Sequence, residues 1–472
     1  MAFLQEQDKV AHLLRRFGLG ANKADMEFYG GEGYEAAVEK LINYDDFDEE
    51  FELDPSIYEN AQNAAVSIRG FQYWWYLRLI ATKYPLEQKL TLFWHDHFAT
   101  SAQKVTIAEA MYRYLETLRL NATGRFEDLL VEVSKDPAML FWLDNNENVK
   151  GTPNENFARE VMELFTLGVD NKYTEQDIRE AARALTGWVY GTRRGGQAYP
   201  AQYPYRSTRY MFVEERHDTG DKDFLGENGK LDGDDVLEIL LELPETSEYI
   251  TWKMWEWFVY DDPEKEIIQS VASDWRKSGL DILELVRLIA MHPNFFDKRA
   301  IRTHVKNPVE FAVGAMRSLG IAEKLRQQFA ELDADKTRGL AGPVTYVHRS
   351  TAAMGMDLLF PPDVAGWVKG EEWINTATIV ERIKFADYMF GGASNRWLAL
   401  VPENMPKAGC TPEELVDHML TMFDVEMNPK KTEVFVMTAR KVGGEKIAAG
   451  SLYPAMRQVA RLMFGTPEFQ FI

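Results

Sequence analysis

Apolar residues recur at three- and four-residue spacing through most of this 472-residue chain, and this period constrains the fold more than any other feature. It places apolar side chains on one face of an α-helix, whereas a strand would need strict alternation. Two stretches lack the period: 188–229, rich in Gly, Pro and Tyr, and 360–375, "FPPDVAGWVKGEEWIN". We predict a mainly α-helical protein with one large multi-helix body, an irregular, partly β insert near 188–229 and a Pro/Gly/Trp loop near 360–375.

The domain organisation follows from the absence of any low-complexity linker between these helices. We predict a single large α-helical domain over 1–472. A finer division would separate N-terminal helices at 1–187, the insert at 188–229 and C-terminal helices at 230–472. Hydrophobic residues make up 46% of the chain and aromatic residues 12%, which is enough for a large core.

The charge balance narrows the classes of partner. Lys and Arg number 53 and Asp and Glu 74, so the net charge is −21. A surface this acidic repels phosphate backbones, and without a segregated basic patch we expect no nucleic-acid partner. We also expect no membrane span, since no stretch approaches 18 consecutive apolar residues. The chain starts without a visible signal peptide, which makes cytoplasmic the default expectation.

Cysteine usage limits the chemistry further. With one cysteine, Cys410, the chain forms no intrachain disulfide and no Cys-based zinc cluster. Walker, Gly-x-Ser-x-Gly and His-Glu-x-x-His motifs are absent as well. Nucleotide chemistry and acyl transfer by a standard serine triad are therefore poorly supported by the sequence.

The clearest local signal is "GTPNENFAREVMELFTLGVD" (151–170). Thr152 and Glu155 have the spacing of a capping box, and Gly168 stands where a left-handed residue ends a helix. The pattern predicts a helix over 153–167 with a well-defined start.

The polar stripe of this predicted helix contains Glu160 and Glu163. Two carboxylates three residues apart repel each other unless a cation or a proton intervenes. One interpretation is an ion-pair ladder in which Arg159 bridges Glu155 and Glu163. The other is that Glu160 and Glu163 hold a metal ion or transfer protons.

The following stretch, "YTEQDIREAARALTGW" (173–188), predicts a second helix. Thr174 and Asp177 have capping-box spacing, and small alanines permit a close antiparallel approach to the helix before it. We expect Arg179 and Arg183 on this helix to meet the carboxylates of the preceding one.

The stretch "FWHDHF" (93–98) contains two of the eight histidines in the chain. The apolar pattern before it predicts a helix over 85–97, with His97 on the apolar face. In a continuous helix His95 and His97 lie ~200° apart and do not chelate one ion, whereas an extended chain beyond His95 would bring them together. Metal ligands and packing histidines both remain open interpretations.

A third polar cluster lies at the end of the predicted insert, in "RHDTGDKDFLG" (216–226). His217 and Asp218 precede a glycine turn and Lys222. The residues fit a solvated acidic turn, but His and Asp in an irregular segment also suit metal binding or acid–base catalysis.

Together these motifs resemble the bacterial domain-of-unknown-function family 1800. The resemblance covers nearly the whole chain, from about residue 10 to "GTPEFQF" near the end. It rests on seven separated stretches: "HLLRRFGLGA" (12–21), "FWHDHFATS" (93–101), "NENFAREVMELFTLGVD" (154–170), "YTEQDIREAARALTGW" (173–188), "HDTGDKDFLG" (217–226), "KNPVEFAVGAMRSLG" (306–320) and "LFPPDVAGWVKGEEWINTAT" (359–378).

The family motifs are mostly polar at their matching positions, which implies one polar centre where distant segments converge. On this basis we predict a metal-assisted enzyme, hydrolytic or oxidative, acting on an anionic substrate with a divalent Zn, Mn or Fe ion. The candidate residues are, for metal binding, His95, His97, Glu163 and His217; for catalysis, Asp218 and Glu160; and for substrate binding, Arg16, Arg159, Arg183 and Lys222.

An alternative fits the same residues. They would form a closed ion-pair network that fixes helix packing, in a non-catalytic assembly or binding protein. The resemblance further implies export and a protein partner of the sulfatase-like class.

Overall fold

The computed structural model describes residues 5–49, 53–60, 62, 65–194, 197–204, 207–330, 334–391 and 401–472. It is 62% helical with two small antiparallel sheets, which confirms the mainly α prediction and the partly β insert. The expected division into domains stays a prediction. Of the predicted insert, 195–196 and 205–206 lie outside the described residues.

The α-helices run along the chain in a nearly continuous series. They are α1 Glu6–Phe17, α2 Lys23–Tyr29, α3 Tyr34–Ile42, α4 Ile68–Ala81, α5 Pro85–His97, α6 Ala108–Asn121, α7 Phe126–Ser134, α8 Pro137–Trp142, α9 Asn156–Glu160, α10 Glu175–Ala184, α11 Gly233–Glu242, α12 Pro244–Phe258, α13 Lys265–Lys277, α14 Ile282–Ala290, α15 Pro308–Ser318, α16 Ala322–Ala330, α17 Ala334–Ala353, α18 Thr376–Phe390, α19 Pro412–Met422, α20 Pro429–Gly443, α21 Ala449–Phe464 and α22 Pro467–Gln470.

Shorter elements connect them. A π-helical segment, Val161–Thr166, continues α9, and 3-10 turns occur at Gly30–Glu32, Tyr44–Asp46, Pro55–Tyr58, Asn145–Glu147, Glu214–Arg216, Pro293–Phe296, Gly370–Trp373 and Pro402–Asn404. The strands are β1 Trp188–Arg194, β2 Gln197–Pro200, β3 Arg209–Phe212, β4 Lys222–Phe224 and β5 Glu227–Gly229. β1 is the centre of a three-stranded antiparallel sheet, and β4 pairs with β5.

Helix α5 lies in the interior. All of its residues are buried, polar ones included, so the apolar period alone does not describe its surroundings. Buried apolar side chains from Val10 to Phe469 form one contact cluster around it. Because polar side chains in such a position must find partners inside the protein, the contacts of His95, Asp96 and His97 organise their neighbours.

The prediction for 153–167 is wrong at its start. Thr152 does not cap a helix; it forms an isolated antiparallel bridge with Val149. The Asn148 side chain accepts the Asn154 N–H at 2.9 Å, so the chain stays non-helical until Asn156. The helix then widens to π geometry, where each N–H bonds five residues back, before Gly168 (φ 87°) ends it as expected.

The second local prediction is confirmed. Thr174 and Asp177 form the capping box at the start of α10, with the Asp177 N–H 3.3 Å from the Thr174 hydroxyl. Asp177 also accepts the Leu225 N–H at 2.9 Å, which ties the end of the insert to this helix.

The Pro/Gly/Trp loop near 360–375 lies against the C-terminal end of α5. It contains a turn in which the Asp363 carboxylate accepts the Ala365 N–H at 2.9 Å, followed by Gly366 at φ 92°. No helix among the described residues is long and apolar enough to cross a membrane.

Candidate functional site

The C-terminal end of α5, the C-terminal half of α12 and the loop 360–375 meet around a small pocket that is partly open to solvent. We call it the Asp96 pocket. It is lined by Asp96, Glu256, Trp257, Asp261, His304, Asn307, Met356, Trp367, Val368, Lys369, Gly370 and Trp373. Segments that are far apart in the sequence therefore supply three carboxyl groups, a histidine, a lysine and three tryptophans to one cavity.

Asp96 is the most deeply placed carboxyl group, with 3% of its surface exposed. Its Oδ1 accepts the Trp367 N–H at 2.8 Å. Gly366 makes this contact possible, because a Cβ there would overlap Asp96 Oδ1 and lie 2.6 Å from the Asp96 carbonyl oxygen. Burial raises the pKa of Asp96, against the opposing effect of Lys369 and Lys253. The negative end of the α5 dipole disfavours its ionised form in the same direction.

The other two carboxyl groups of the pocket come from α12 and the turn after it. Burial raises the pKa of Glu256 and of Asp261, although both keep contact with solvent. The Asp262 N–H bonds to Glu256, and the nearby Arg16 guanidinium opposes the shift at Asp261. All three carboxyl groups are therefore biased toward the protonated form relative to a carboxyl group in water.

Basic groups complete the electrostatics of the pocket. Burial, together with the neighbouring ammonium group of Lys369, lowers the pKa of Lys253 to about 8. Burial also lowers the pKa of His304 to about 3, so this ring is neutral at physiological pH. The pocket thus contains carboxyl groups that hold protons more tightly than usual, and Lys253, which acts on Asp96 from outside the lining, holds its proton less tightly than usual.

Most other buried carboxylates of the described ranges form ion pairs, and the carboxyl groups of this pocket do not; buried Asp136, which accepts hydrogen bonds from Thr117 and the Ala138 N–H, is a further exception. Within the described ranges, Asp96, Glu256 and Asp261 form no ion pair, whereas Glu310 pairs with Lys89 and Asp424 with Arg15 at 2.5 Å. An unpaired buried carboxyl group is costly, so its retention is a feature of sites that use it.

The structure answers the question raised by "FWHDHF". The helix continues through His97, and each polar residue binds a different backbone group. His95 Nε2 accepts the Leu359 N–H at 3.1 Å, and Asp96 accepts the Trp367 N–H. His97 Nε2 donates to the carbonyl oxygen of Phe165, in the π-helical segment, at 3.3 Å. The two histidines thus position the segments on either side of Asp96.

Both histidines are neutral and enclosed. Burial lowers the pKa of His95 to about 3 and that of His97 well below its usual value. The His95 ring packs edge-on against Trp367, with ring centroids 5.2 Å apart, and so supports a wall of the pocket. The Nδ1 atoms of both rings have no hydrogen-bond partner in the described part of the chain.

The predicted residues of the insert form a separate cluster at the end of α10. Arg183 binds the Asp218 carboxylate through Nε at 2.9 Å and Nη2 at 3.2 Å, and also pairs with Glu180 at 2.5 Å. Lys222 Nζ donates to the Asp218 carbonyl oxygen at 2.6 Å, and His217 Nδ1 donates to the Thr186 carbonyl oxygen at 2.8 Å. The hydrogen bond from Arg183 lowers the pKa of Asp218 to about 2.

The predicted residues of the 153–167 stretch form a ladder beside α10. Arg159 pairs with Glu155 and Glu163, each at 3.2 Å, and with Glu175 at 2.8 Å. The expectation that Arg179 and Arg183 meet these carboxylates is wrong. Arg183 binds Asp218 of the insert instead, and Glu163 pairs with Arg159.

Glu160 is partly buried and forms no ion pair within the described ranges. Burial, followed by Glu163, raises its pKa, and Asp363 of the 360–375 loop adds to the shift. Asp363 raises the pKa of Asp96 as well, so this loop carboxylate acts on both groups.

Arg16 has a structural position. Its Nε and Nη2 donate to the Phe258 and Val259 carbonyl oxygens, at 2.7 and 2.6 Å, and so cap the C-terminal end of α12. Its Nη1 is buried without a partner in the described part of the chain. The cap fixes the helix that carries Glu256 and Trp257.

No group of three or more His, Cys, Asp or Glu side chains with a geometry that could hold a metal ion occurs among the described residues. His95 and His97 bind different segments, Glu163 pairs with Arg159, and His217 belongs to the insert cluster. The metal roles assigned to these four residues stay predictions.

Comparison with known proteins adds the family. The profile of the family described as "Protein of unknown function (DUF1800)" matches residues 12–471, nearly the whole chain. The chain belongs to the DUF1800 family. No curated protein and no solved structure matches it. Membership confirms the resemblance seen in the seven motifs, and the description of DUF1800 assigns no activity.

For this DUF1800 protein, sequence reasoning missed the central carboxyl group although it examined the stretch that contains it. The available signal was an aspartate in the last turn of an apolar helix, where both burial and the helix dipole oppose its charge. Lys253, Glu256 and Trp257 also share a face of α12, at spacings of three and four residues. His304 and Asn307 had no comparable local signal.

Proposed function

We propose that the protein is an enzyme that carries out hydrolytic acid–base chemistry in the Asp96 pocket. The observation that carries this proposal is the Asp96 carboxyl group: it is buried, it accepts one backbone N–H, and it has no counter-ion among the described residues. In a molecule whose other buried carboxylates are mostly ion-paired, this arrangement suits a group that must exchange a proton.

The roles of the carboxyl groups follow from their surroundings. Asp96 is the most buried and is stabilised in its protonated form, which suits a general acid. Glu256 and Asp261 keep contact with solvent, which suits a general base that activates water. Lys253, with its pKa of about 8, provides a positive charge near Asp96 once the proton has left.

The walls of the pocket indicate the class of substrate. Trp257, Trp367 and Trp373 line the pocket together with its carboxyl groups, and this combination of aromatic and polar groups suits a ring with apolar faces and hydroxyl edges, such as a sugar. Pairs of carboxyl groups are also the catalytic groups of most glycoside hydrolases. We therefore propose an uncharged glycan as substrate.

The anionic substrate expected from the sequence depended on Arg16, Arg159, Arg183 and Lys222. None of these residues lines the Asp96 pocket as the described residues form it. An anionic substrate would need a different site.

The test is hydrolysis of a panel of oligosaccharides and aryl glycosides, followed by release of reducing ends. Asp96→Asn and Glu256→Gln should each lower kcat by at least about 100-fold, because the acid or base is lost while the shape is kept. Asp274→Asn, on an exposed residue paired with Lys277, is the matched control. If the substituted enzymes hydrolyse the substrate as fast as the unmodified protein, the assignment is wrong.

The metal-assisted form of the hypothesis is tested by elemental analysis of protein purified without chelators or an affinity metal. A near-stoichiometric transition metal that is lost in a His97→Ala, His217→Ala double variant would support it. Protein without metal, even after supplementation, would leave the carboxyl groups of the Asp96 pocket as the catalytic groups.

A non-catalytic assembly or binding role, a partner of the sulfatase-like class and export remain the competing proposals. They derive from the family resemblance and from the ion-pair networks of Arg159 and Arg183. A panel without any hydrolysed substrate, with unaltered stability in Asp96→Asn, would favour them.

A further inference from the structure

A second small pocket, partly open to solvent, lies between the end of α1, α15 and the C-terminal segment. We call it the Lys306 pocket. Its charged lining consists of Arg15, Lys89, Arg302, Lys306, Glu310 and Asp424. No residue predicted from the sequence to be functional and no residue of the Asp96 pocket lines it.

The two carboxylates of this pocket are already neutralised. Glu310 forms an ion pair with Lys89 in which the two side chains are 4% and 1% exposed. Asp424 is shared by two guanidinium groups, with Arg15 Nε at 2.5 Å and Arg302 Nη2 at 3.0 Å. Glu310 and Asp424 are thus each compensated by a basic side chain without any contribution from Lys306.

Lys306 is the surplus cation. Its Nζ donates to the Phe469 carbonyl oxygen at 2.9 Å and lies 4.4 Å from the centroid of the Phe469 ring, and it forms no ion pair within the described ranges. Arg302 also pairs with Glu426 at 3.4 Å, so Lys306 is the basic side chain of the lining whose charge no ion pair within the described ranges compensates. A buried ammonium group without a counter-ion is costly unless an anion compensates it.

The shape of the pocket suits a small ligand. The loop after α1 carries Gly18 and Gly20, and Gly20 adopts φ 113°. A Cβ on Gly20 would lie 3.9 Å from the Gly314 Cα of α15, so backbone surfaces face each other there. This part of the lining is therefore formed by backbone and not by large side chains.

We propose that the Lys306 pocket binds a compact dianion, either a phosphate group or a dicarboxylate, through the Lys306 ammonium and the guanidinium edges of Arg15 and Arg302. Guanidinium and ammonium groups give charge-assisted hydrogen bonds with either kind of anion. The proposal does not depend on the hydrolytic function, because the Asp96 pocket shares no lining residue with this one.

The protonation of Lys306 provides a second way to detect anion binding. Burial lowers the pKa of Lys306 to about 7. The charged groups that act on it are Asp424 and Glu310, which raise this pKa, and Arg302 and Arg382, which lower it. A bound dianion stabilises the charged form, so binding above pH 7 must be accompanied by proton uptake.

The experiment is isothermal titration calorimetry of the full chain with inorganic phosphate and, separately, with succinate, at pH 8 in two buffers that differ in ionisation enthalpy. We expect one-to-one binding of at least one of the two anions, with an observed enthalpy that differs between the buffers because protons are taken up. Lys306→Met should weaken this binding by at least about tenfold. Lys277→Met, an equal charge change on an exposed residue paired with Asp274, should leave it unchanged.

The outcomes separate the possibilities. Binding of phosphate but not succinate identifies a phosphate-bearing ligand, and the reverse identifies a carboxylate. Failure to detect saturable binding of either anion with Kd below about 1 mM overturns the proposal. Undiminished binding in Lys306→Met overturns it as well. The variant should fold, because replacing an unpaired buried ammonium group with an apolar side chain of similar length is commonly neutral or stabilising. Proton uptake by the unmodified protein is an independent readout.

Discussion

The cluster at the end of α10 and the pocket at the end of α5 use similar side chains in opposite electrostatic states. In the cluster, Arg183 and Asp218 form a bidentate ion pair, so each side chain compensates the charge of the other. In the Asp96 pocket, three carboxyl groups lie around a cavity without an ion pair in the described part of the chain. The hydrogen bond from Arg183 lowers the pKa of Asp218, whereas burial raises the pKa of Asp96.

This difference teaches that polar motif residues divide into two kinds. Some are saturated by partners and hold elements together, as Arg183 and Asp218 hold the insert to α10. Others are placed where charge is disfavoured, which makes them able to exchange protons. The following predictions test this division, from the largest expected effect to the smallest.

Gly366→Ala should have the largest effect. The new Cβ would overlap Asp96 and retain a positive φ, so the 360–375 loop must move off α5. We expect a loss of about 3 kcal/mol in unfolding free energy, measured by urea denaturation. Gly409→Ala is the matched control: its φ is 90° but no atom lies within 4 Å of the new Cβ, so about 1 kcal/mol is expected. Equal losses in the two variants would show that the loop does not press on Asp96.

Asp96→Asn should raise stability at neutral pH. The substitution removes a buried carboxyl group without a counter-ion, while the amide oxygen still accepts the Trp367 N–H. We expect a gain of about 1 kcal/mol or more in unfolding free energy. Because the folded-state pKa of Asp96 is raised, its favourable contribution is complete below its unfolded pKa and is lost as pH rises through the folded value. The advantage of the variant should therefore grow with pH, and a variant less stable than the parent at neutral pH would contradict this account.

Asp218→Asn should act in the opposite direction. The substitution removes the ion pair with Arg183, whose two side chains are 23% and 26% exposed, so we expect a loss of about 1 kcal/mol in thermal unfolding. The folded pKa of about 2 is below the unfolded value, so the contribution is present at neutral pH and is lost as pH falls toward 2. The variant and the parent should converge in acid. A difference that persists there would indicate packing instead of charge.

Glu163→Gln should have the smallest effect. Its pair with Arg159 is partly exposed, and Arg159 keeps Glu155 and Glu175 as partners. We expect a loss of no more than about 0.5 kcal/mol in unfolding free energy and unchanged metal content. A marked fall in metal content would instead identify Glu163 as a metal ligand. It would then no longer belong to the residues that are saturated by ion pairs.

The fold class and several element ends could be predicted from the sequence because they depend on neighbours within a few residues. The helical period, the Thr174–Asp177 capping box and the turn at Gly168 are of this kind. The false start at Thr152 shows the limit: Asn148 captures a backbone N–H that a helix would have used, and that competition is not visible in capping-box spacing.

Of the site, the sequence analysis singled out "FWHDHF" as a candidate and identified the loop 360–375 only as an irregular segment within a family motif. Which residue of "FWHDHF" matters depended on tertiary contacts. His95 and His97 bind backbone groups of segments far along the chain, while Asp96 between them lines the cavity. Spacing along the helix does not distinguish these cases, because all three side chains are buried.

The sequence by itself determined that this chain is helical, acidic and a member of its family, since hydrogen bonding within helices, net charge and motif order are properties of the chain alone. The tertiary structure decided which carboxyl groups are paired and which are not. Whether Asp96 or Asp218 holds its proton depends on which side chains, from anywhere in the chain, share its surroundings and exclude water from it. Desolvation and Coulomb energy depend on distance in space, and the amino-acid order specifies that distance only through the completed fold.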